Sequence, residues 1–322
     1  MSIPRSIWRP LRLAIILALL GWLGWKAFDK TLWSAWGHFN AEWLAFALVS
    51  TLLMLAVRLA KWHLLLVKER IPRGPRESAR ALFGAYALAS VTPGRFGDFG
   101  RFLFIGDGGR ARALLFTLVD KSFDVWALLT LTFASLFLFL PLATAMVLMA
   151  GWLALIPLFS IARRRAFHLT LFSRFRLGEI WNAVQEVDAR RFALLAICTY
   201  AVDMLTLFFL LRAFHNAELR VAFATYPWLV LAGSLPISFG GIGPREGVSA
   251  LLLPLFSIPA PVAITVSLVF FALTGLLPAV FGAAWMAVNP PNLKRRWWIS
   301  FRDLFELAGS GPTRSGRDLT ST

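Results

Sequence analysis

The chain has 322 residues, of which 58% are hydrophobic and 16% charged, and its net charge is +16. Soluble domains are about 45–50% apolar and about 25% charged, so the composition argues against a soluble protein and for an all-α, polytopic membrane protein. The basic residues cluster in short loops between apolar runs, as cytoplasmic loops facing anionic lipid do, and no nucleic-acid partner is expected.

In chain order, Arg5, Arg9 and Arg12 accompany an apolar run over residues 11–28 that lacks a small-residue cleavage site. An uncleaved first span is predicted, with residues 1–10 cytoplasmic. A second span covers 43–67 and holds Arg58 and Lys61, three residues apart on one helical face. Lys61 is near enough to the cytoplasmic end to snorkel. Arg58, roughly 15 Å of helical rise from Lys68, is deep enough to require a partner and to mark a functional path.

The basic loop "KERIPRGPRESAR" is followed by an apolar segment over 81–92, too short to cross comfortably, that ends at "VTPGRFGDFGRF". Basic loops on both sides predict a re-entrant hairpin from the cytoplasm. Residues 114–140 form a span carrying "DKSFD", with Asp120 and Asp124 four apart and Lys121 between them. The pattern fits either a substrate path or a clamp on Arg58 or Arg101. Residues 142–161 return, "ARRRAF" marks the cytoplasm, and 163–191 read as an interfacial surface helix. The next span, 192–214, has Asp203 midway, expected to pair with an arginine, with a proton relay as the alternative. Residues 221–235 re-enter, break at "PISFGGIGPRE" and continue over 247–256, as one hairpin or two short spans; 262–288 is the last span.

The expected architecture is about six full spans and two Pro/Gly-broken re-entrant elements, with an inverted repeat suggested by the two breaks. One membrane domain covers 11–290, followed by a basic, partly disordered cytoplasmic tail over 291–322. The lone Cys198 and four unspaced histidines offer no disulfide or metal site. No Gly-rich loop ending in Lys-Ser/Thr is present, and no cofactor is expected.

The two breaks share their chemistry. Each follows an apolar run, opens with a proline, is rich in glycine and carries an arginine and a carboxylate. Broken backbone at membrane depth persists only where protein covers it or water reaches it. Half-helix N-termini beside Arg95, Arg101 or Arg245 suit an anion, and a guanidinium fork suits phosphate.

With "DKSFD" between them, the breaks resemble the lysylphosphatidylglycerol synthase transmembrane (flippase-domain) family over roughly residues 10 to 290. The early element is carried by Pro93, Gly94, Arg95, Gly97, Asp98 and Arg101, the middle one by Asp120, Lys121 and Asp124. The late, most specific element is carried by Pro236, Ser238, Gly240, Gly241, Gly243, Arg245 and Glu246. Lys121 stands where the family more usually has arginine.

The resemblance implies a multi-pass protein of the bacterial inner membrane, both termini cytoplasmic, that moves lipids between leaflets. It leaves no room here for the aminoacyl-transferase domain of longer members, so no synthase activity is expected. These residues other than Asp120, with Arg58, are the expected contacts of a phosphate-bearing lipid headgroup, and Asp98, Asp124 and Glu246 the expected counter-charges. A non-transporting accessory subunit that docks a lipid-modifying enzyme is the alternative. A headgroup-modifying enzyme using Asp98 and Glu246 is weaker, for want of a nucleophile–base pair or metal cluster. Lipid identity, direction, driving force and oligomeric state are not encoded in any motif.

Overall fold

An unbroken run without proline or glycine makes α1, Ala41–Lys68, a single 28-residue helix. Asn40 starts it, its side-chain oxygen accepting the Glu42 N–H at 2.8 Å. α1 lies in a computed structural model that describes residues 36–37, 39–68, 74–92, 94–105, 110–166, 188–236 and 240–288. The predicted first span, most of the interfacial helix over 163–191, the basic tail, Pro93 and Ser238 lie outside the described residues.

Pro75 opens α2, Pro75–Ser90, which stops at the first break and resumes as a 3-10 helix, Phe96–Phe104. α3 covers Arg110–Ser135 and α4 Leu142–Ala166. α5, Ala189–Phe214, is capped by Asp188, whose carboxylate accepts the Arg191 N–H at 3.3 Å. α6, Leu219–Gly233, ends at the second break, and α7, Pro244–Leu252, resumes beyond it. α8, Ala260–Phe271, passes through a π-turn at Ala272–Leu276 into α9, Leu277–Val288. All regular structure among the described residues is helical.

Among the described residues, three stretches are long and apolar enough to cross a membrane: Ala41–Val67, Ala189–Phe214 and Ala260–Val288. α3 matches them in length, but Asp120, Lys121 and Asp124 interrupt its apolar surface. Large apolar side chains point outward along the helices, Val49, Val147 and Leu251 among them, each more than 60% exposed. In a membrane protein this is the lipid-facing surface.

α1 and α5 run antiparallel as the central pair. The Asn40 N–H reaches the Ala213 carbonyl at 2.8 Å, and the Ser50 hydroxyl donates to the Val202 carbonyl at 2.8 Å. The first broken element packs against α3 and α9, the second against α8, α5 and α3. Two apolar clusters result, one around α5, α6 and α8, the other around α1, α2 and the start of α3. Phe123 packs against both. Asp120 and Asp124 flank it in sequence, so the charges of α3 enter the bundle where the two clusters adjoin.

Candidate functional site

The two breaks meet. A Cβ placed on Gly94 would lie 2.8 Å from the Pro236 Cα, and one on Gly240 would lie 3.5 Å from the Ser90 carbonyl oxygen. Residues more than 140 positions apart therefore touch, backbone to backbone. Gly94 has a φ of +55° and Gly241 one of +81°, left-handed conformations that L side chains rarely adopt. Gly241 also sits so close to Gly233 that an added Cβ would fall 2.3 Å from its carbonyl oxygen. Gly97 seats the 3-10 helix on the Leu88 backbone in the same way.

Each break satisfies part of its own exposed backbone. The Thr92 hydroxyl accepts the Gly97 N–H at 2.7 Å. Glu246 turns back and accepts the Gly243 N–H at 2.6 Å, so the N-terminus of α7 already carries a carboxylate of the chain itself. Its other oxygen accepts from Arg245 at 2.8 Å and from the Ser267 hydroxyl at 3.3 Å. Arg245 also donates Nε–H to Ser267 at 3.2 Å and lies over the Phe271 ring, 4.7 Å from its centroid. Phe271 ends α8 just before the π-turn, a feature frequent at functional sites.

The deep charges fall into two kinds. In one set the side chains are sealed. Arg101 and Asp120 pair at 2.7 Å with side-chain exposures of 5% and 1%, and the Arg101 guanidinium lies over Trp62. Lys61 bridges Asp120, at 2.9 Å, and Asp124. Lys61 does not snorkel: with 2% of its side chain exposed, it is held by two carboxylates of α3, whose attraction replaces the water it would have reached. Arg245, 5% exposed, pairs with the partly exposed Glu246 beside the second break.

The other set is partly exposed. Lys121 lies 3.2 Å from Asp98 and 3.6 Å from Asp124, and Arg95 approaches Asp98 only to 3.9 Å. Arg95, Asp98 and Lys121 have side-chain exposures of 26%, 15% and 20%, against 5% or less for Lys61, Arg101, Asp120 and Arg245. Arg95 takes a left-handed backbone, φ +58°, unusual for a side chain of its size. Its guanidinium stands 5.8 Å from the centre of the Tyr86 ring.

A third constellation ties the broken elements to the central pair. Arg58 on α1 reaches Asp203 on α5 at 3.5 Å and donates to the Tyr86 hydroxyl on α2 at 2.6 Å. Tyr226 on α6 donates to the same Asp203 oxygen at 2.9 Å. The expected partner of Asp203 is thus Arg58, and Asp120, rather than Asp124, is the clamp on Arg101. Six cations (Arg58, Lys61, Arg95, Arg101, Lys121 and Arg245) stand in this ion-paired interior against five carboxylates (Asp98, Asp120, Asp124, Asp203 and Glu246). Among the described residues one positive charge is left over, and Arg95, the most loosely paired of the six, is where it is available.

The sequence motifs pointed to Arg95, Asp98, Lys121 and both glycine runs. They did not point to Tyr86, Tyr226, Ser267 or Phe271, which lie within apolar helical runs like any core residue. A hydroxyl or ring in such a run carries no periodic signal; only its partner across the bundle distinguishes it.

A family model described as lysylphosphatidylglycerol synthase TM region matches residues 10–282. No curated protein matches the chain.

Proposed function

This chain belongs to the lysylphosphatidylglycerol synthase TM family, and we propose that it moves a polar lipid with an anionic, phosphate-bearing headgroup between the leaflets of a bacterial inner membrane. The observation that carries the reading is the contact of two interrupted helices beside an open charge cluster with one surplus cation. Interrupted, glycine-rich backbone at membrane depth is tolerated where it lines a polar path. The sealed pairs hold the shape of that path, and the open pairs meet the headgroup.

Arg95 and Lys121 are the contacts for phosphate, Arg95 through its fork and Lys121 as a point charge. Asp98 and Asp124 hold these cations while the path is empty, at distances loose enough to be exchanged for a ligand oxygen. Arg101, Arg245 and Glu246 position the two breaks, and Arg58 joins both to the central pair. The acyl chains stay in the bilayer against the exposed apolar surface.

The test is leaflet translocation of a headgroup-labelled anionic phospholipid in vesicles reconstituted with wild type or with Arg95→Ala. Translocation above that of empty vesicles, lost on substitution, is the expected result. Wild-type vesicles no faster than empty ones would remove the transport reading and favour an accessory role beside a lipid-modifying enzyme.

A further inference from the structure

The Arg58–Asp203 pair is satisfied on one side only. An ionised carboxylate presents two oxygens with about four lone-pair sites. Both donors to Asp203, the Arg58 guanidinium and the Tyr226 hydroxyl, go to Oδ2. Oδ1 is buried with no hydrogen-bond partner, in a residue only 4% exposed. Asp120 Oδ1 also lacks a well-aligned hydrogen bond, but it lies 2.9 Å from the Lys61 ammonium. Asp203 Oδ1 is therefore the buried carboxylate oxygen, among the described residues, with neither donor nor cation beside it.

We propose that Asp203 is a proton-binding site, taking a proton on Oδ1, and that its protonation releases Arg58 from the ion pair. The step balances simply: a hydronium ion gives one proton to the carboxylate, which becomes a neutral acid, and departs as water. A neutral acid leaves Oδ2 as an acceptor for Tyr226 and gives Oδ1 a hydrogen to donate. The empty side of the group suits an acid better than an anion, because a bare anionic oxygen in a low-dielectric interior is far costlier than a bare hydroxyl.

The surroundings decide the sign of the competing effects. Arg58 faces Asp203 from α1 and Tyr226 from α6, while Tyr200 lies on its own helix with its ring 6.4 Å from that of Tyr226. Arg95 and Arg245 act on it from the two breaks, and Asp124 on α3 acts on its partner Arg58. α8, packed on the other side, contributes no ionisable group. The three arginines favour the anion, and the empty Oδ1 favours the acid. Because Arg58 also holds Tyr86 on α2 and Asp203 also holds Tyr226 on α6, the pair is the point at which both broken elements are tied to the α1–α5 core. Loss of the ion pair raises the excess positive charge of the interior from one to two and loosens that tie. For transport, which rests on the reading above, this would admit an anionic headgroup together with a proton.

The direct test needs no transport. Infrared difference spectra of the full-length protein in lipid nanodiscs, titrated from acid to alkaline pH, should show a protonated-carboxyl stretch that disappears as the pH rises and is missing in Asp203→Asn. No such band, or the same band in Asp203→Asn, overturns the proposal. Should Asp203→Asn fail to fold, Tyr226→Phe supplies the second arm. Removing a hydrogen bond donated to the carboxylate disfavours its charged form, so the midpoint of the band must move to higher pH; an unmoved midpoint overturns the assignment. A band that behaves as expected in a protein that moves no lipid would keep the proton site and remove the transport reading.

Discussion

The sealed layer around Asp120 and the open cluster around Asp98 lie on the same two elements, α3 and the 3-10 helix, yet they are built to opposite rules. Arg101 and Asp120 pair at 2.7 Å with little exposure, Lys61 lies 2.9 Å from Asp120, and the ring of Trp62 lies beneath Arg101. Arg95 and Asp98, six and three residues before Arg101, are separated by 3.9 Å and remain partly exposed. A sealed pair is costly to break because the survivor is left as a buried, unpaired charge. An open pair is inexpensive to break and can be replaced by a ligand. The comparison teaches that a motif rich in arginine and aspartate divides into residues that build the path and residues that remain exchangeable. Closeness in sequence does not tell the two apart.

The strongest way to break this division is Asp120→Asn. It strands Arg101 in the interior and leaves Lys61 with Asp124 alone, and a stability loss of about 3–5 kcal/mol is expected. Chemical or thermal unfolding of the purified protein measures it. A loss no larger than that of Asp98→Asn would mean that the two regions are not energetically distinct.

Gly241→Ala comes next and probes how tightly the second break closes on the end of α6. Its φ of +81° is disfavoured for alanine, and the new methyl would meet the Gly233 carbonyl oxygen at 2.3 Å. A cost of about 1–3 kcal/mol follows from the backbone alone, with the steric overlap adding to it. Wild-type unfolding behaviour would show that the second break can widen, and that the contact of Gly94 with Pro236 does not fix its shape.

Lys121→Ala sharpens the comparison from the open side. Its partners Asp98 and Asp124 keep other cations, Arg95 and Lys61, within reach. Stability should therefore change by about 1 kcal/mol or less, whereas translocation of an anionic lipid should fall several-fold.

Much of this was legible beforehand. The apolar runs over 43–67, 192–214 and 262–288 match α1, α5 and the α8–α9 helix closely, because a run of some 25 apolar residues has few alternatives to a helix. The breaks were legible because proline and glycine interrupt such runs for a local reason. What pattern could not supply was pairing across the bundle. Lys61 lies near a helix end, where water is usually within reach, but α3 packs two aspartates against it first. Tyr86 and Tyr226 are buried aromatics whose hydroxyls matter only because Arg58 and Asp203 arrive from helices far away in sequence. The π-turn at Ala272–Leu276 lies just ahead of Pro278, a residue that the reading of 262–288 as one continuous span passed over.

The smallest expected change in stability is also the most telling. Arg95 holds a left-handed backbone at φ +58°, a conformation that costs an L residue roughly 1–2 kcal/mol and glycine almost nothing. Glycine also loses more freedom on folding, by about 0.5–1 kcal/mol, and the 3.9 Å contact with Asp98 contributes little. Arg95→Gly should thus leave stability unchanged or raise it by up to about 1 kcal/mol, measured by unfolding, while abolishing translocation of an anionic lipid. Arg95→Lys, which keeps both the strain and the charge, should retain stability and lose only the fork. If glycine instead destabilises the fold as much as Asp120→Asn does, Arg95 is a structural member of the sealed layer, and the strain at this position has no functional explanation. If glycine is tolerated and transport stops, the strain is retained because it holds a loosely paired guanidinium where the two breaks meet.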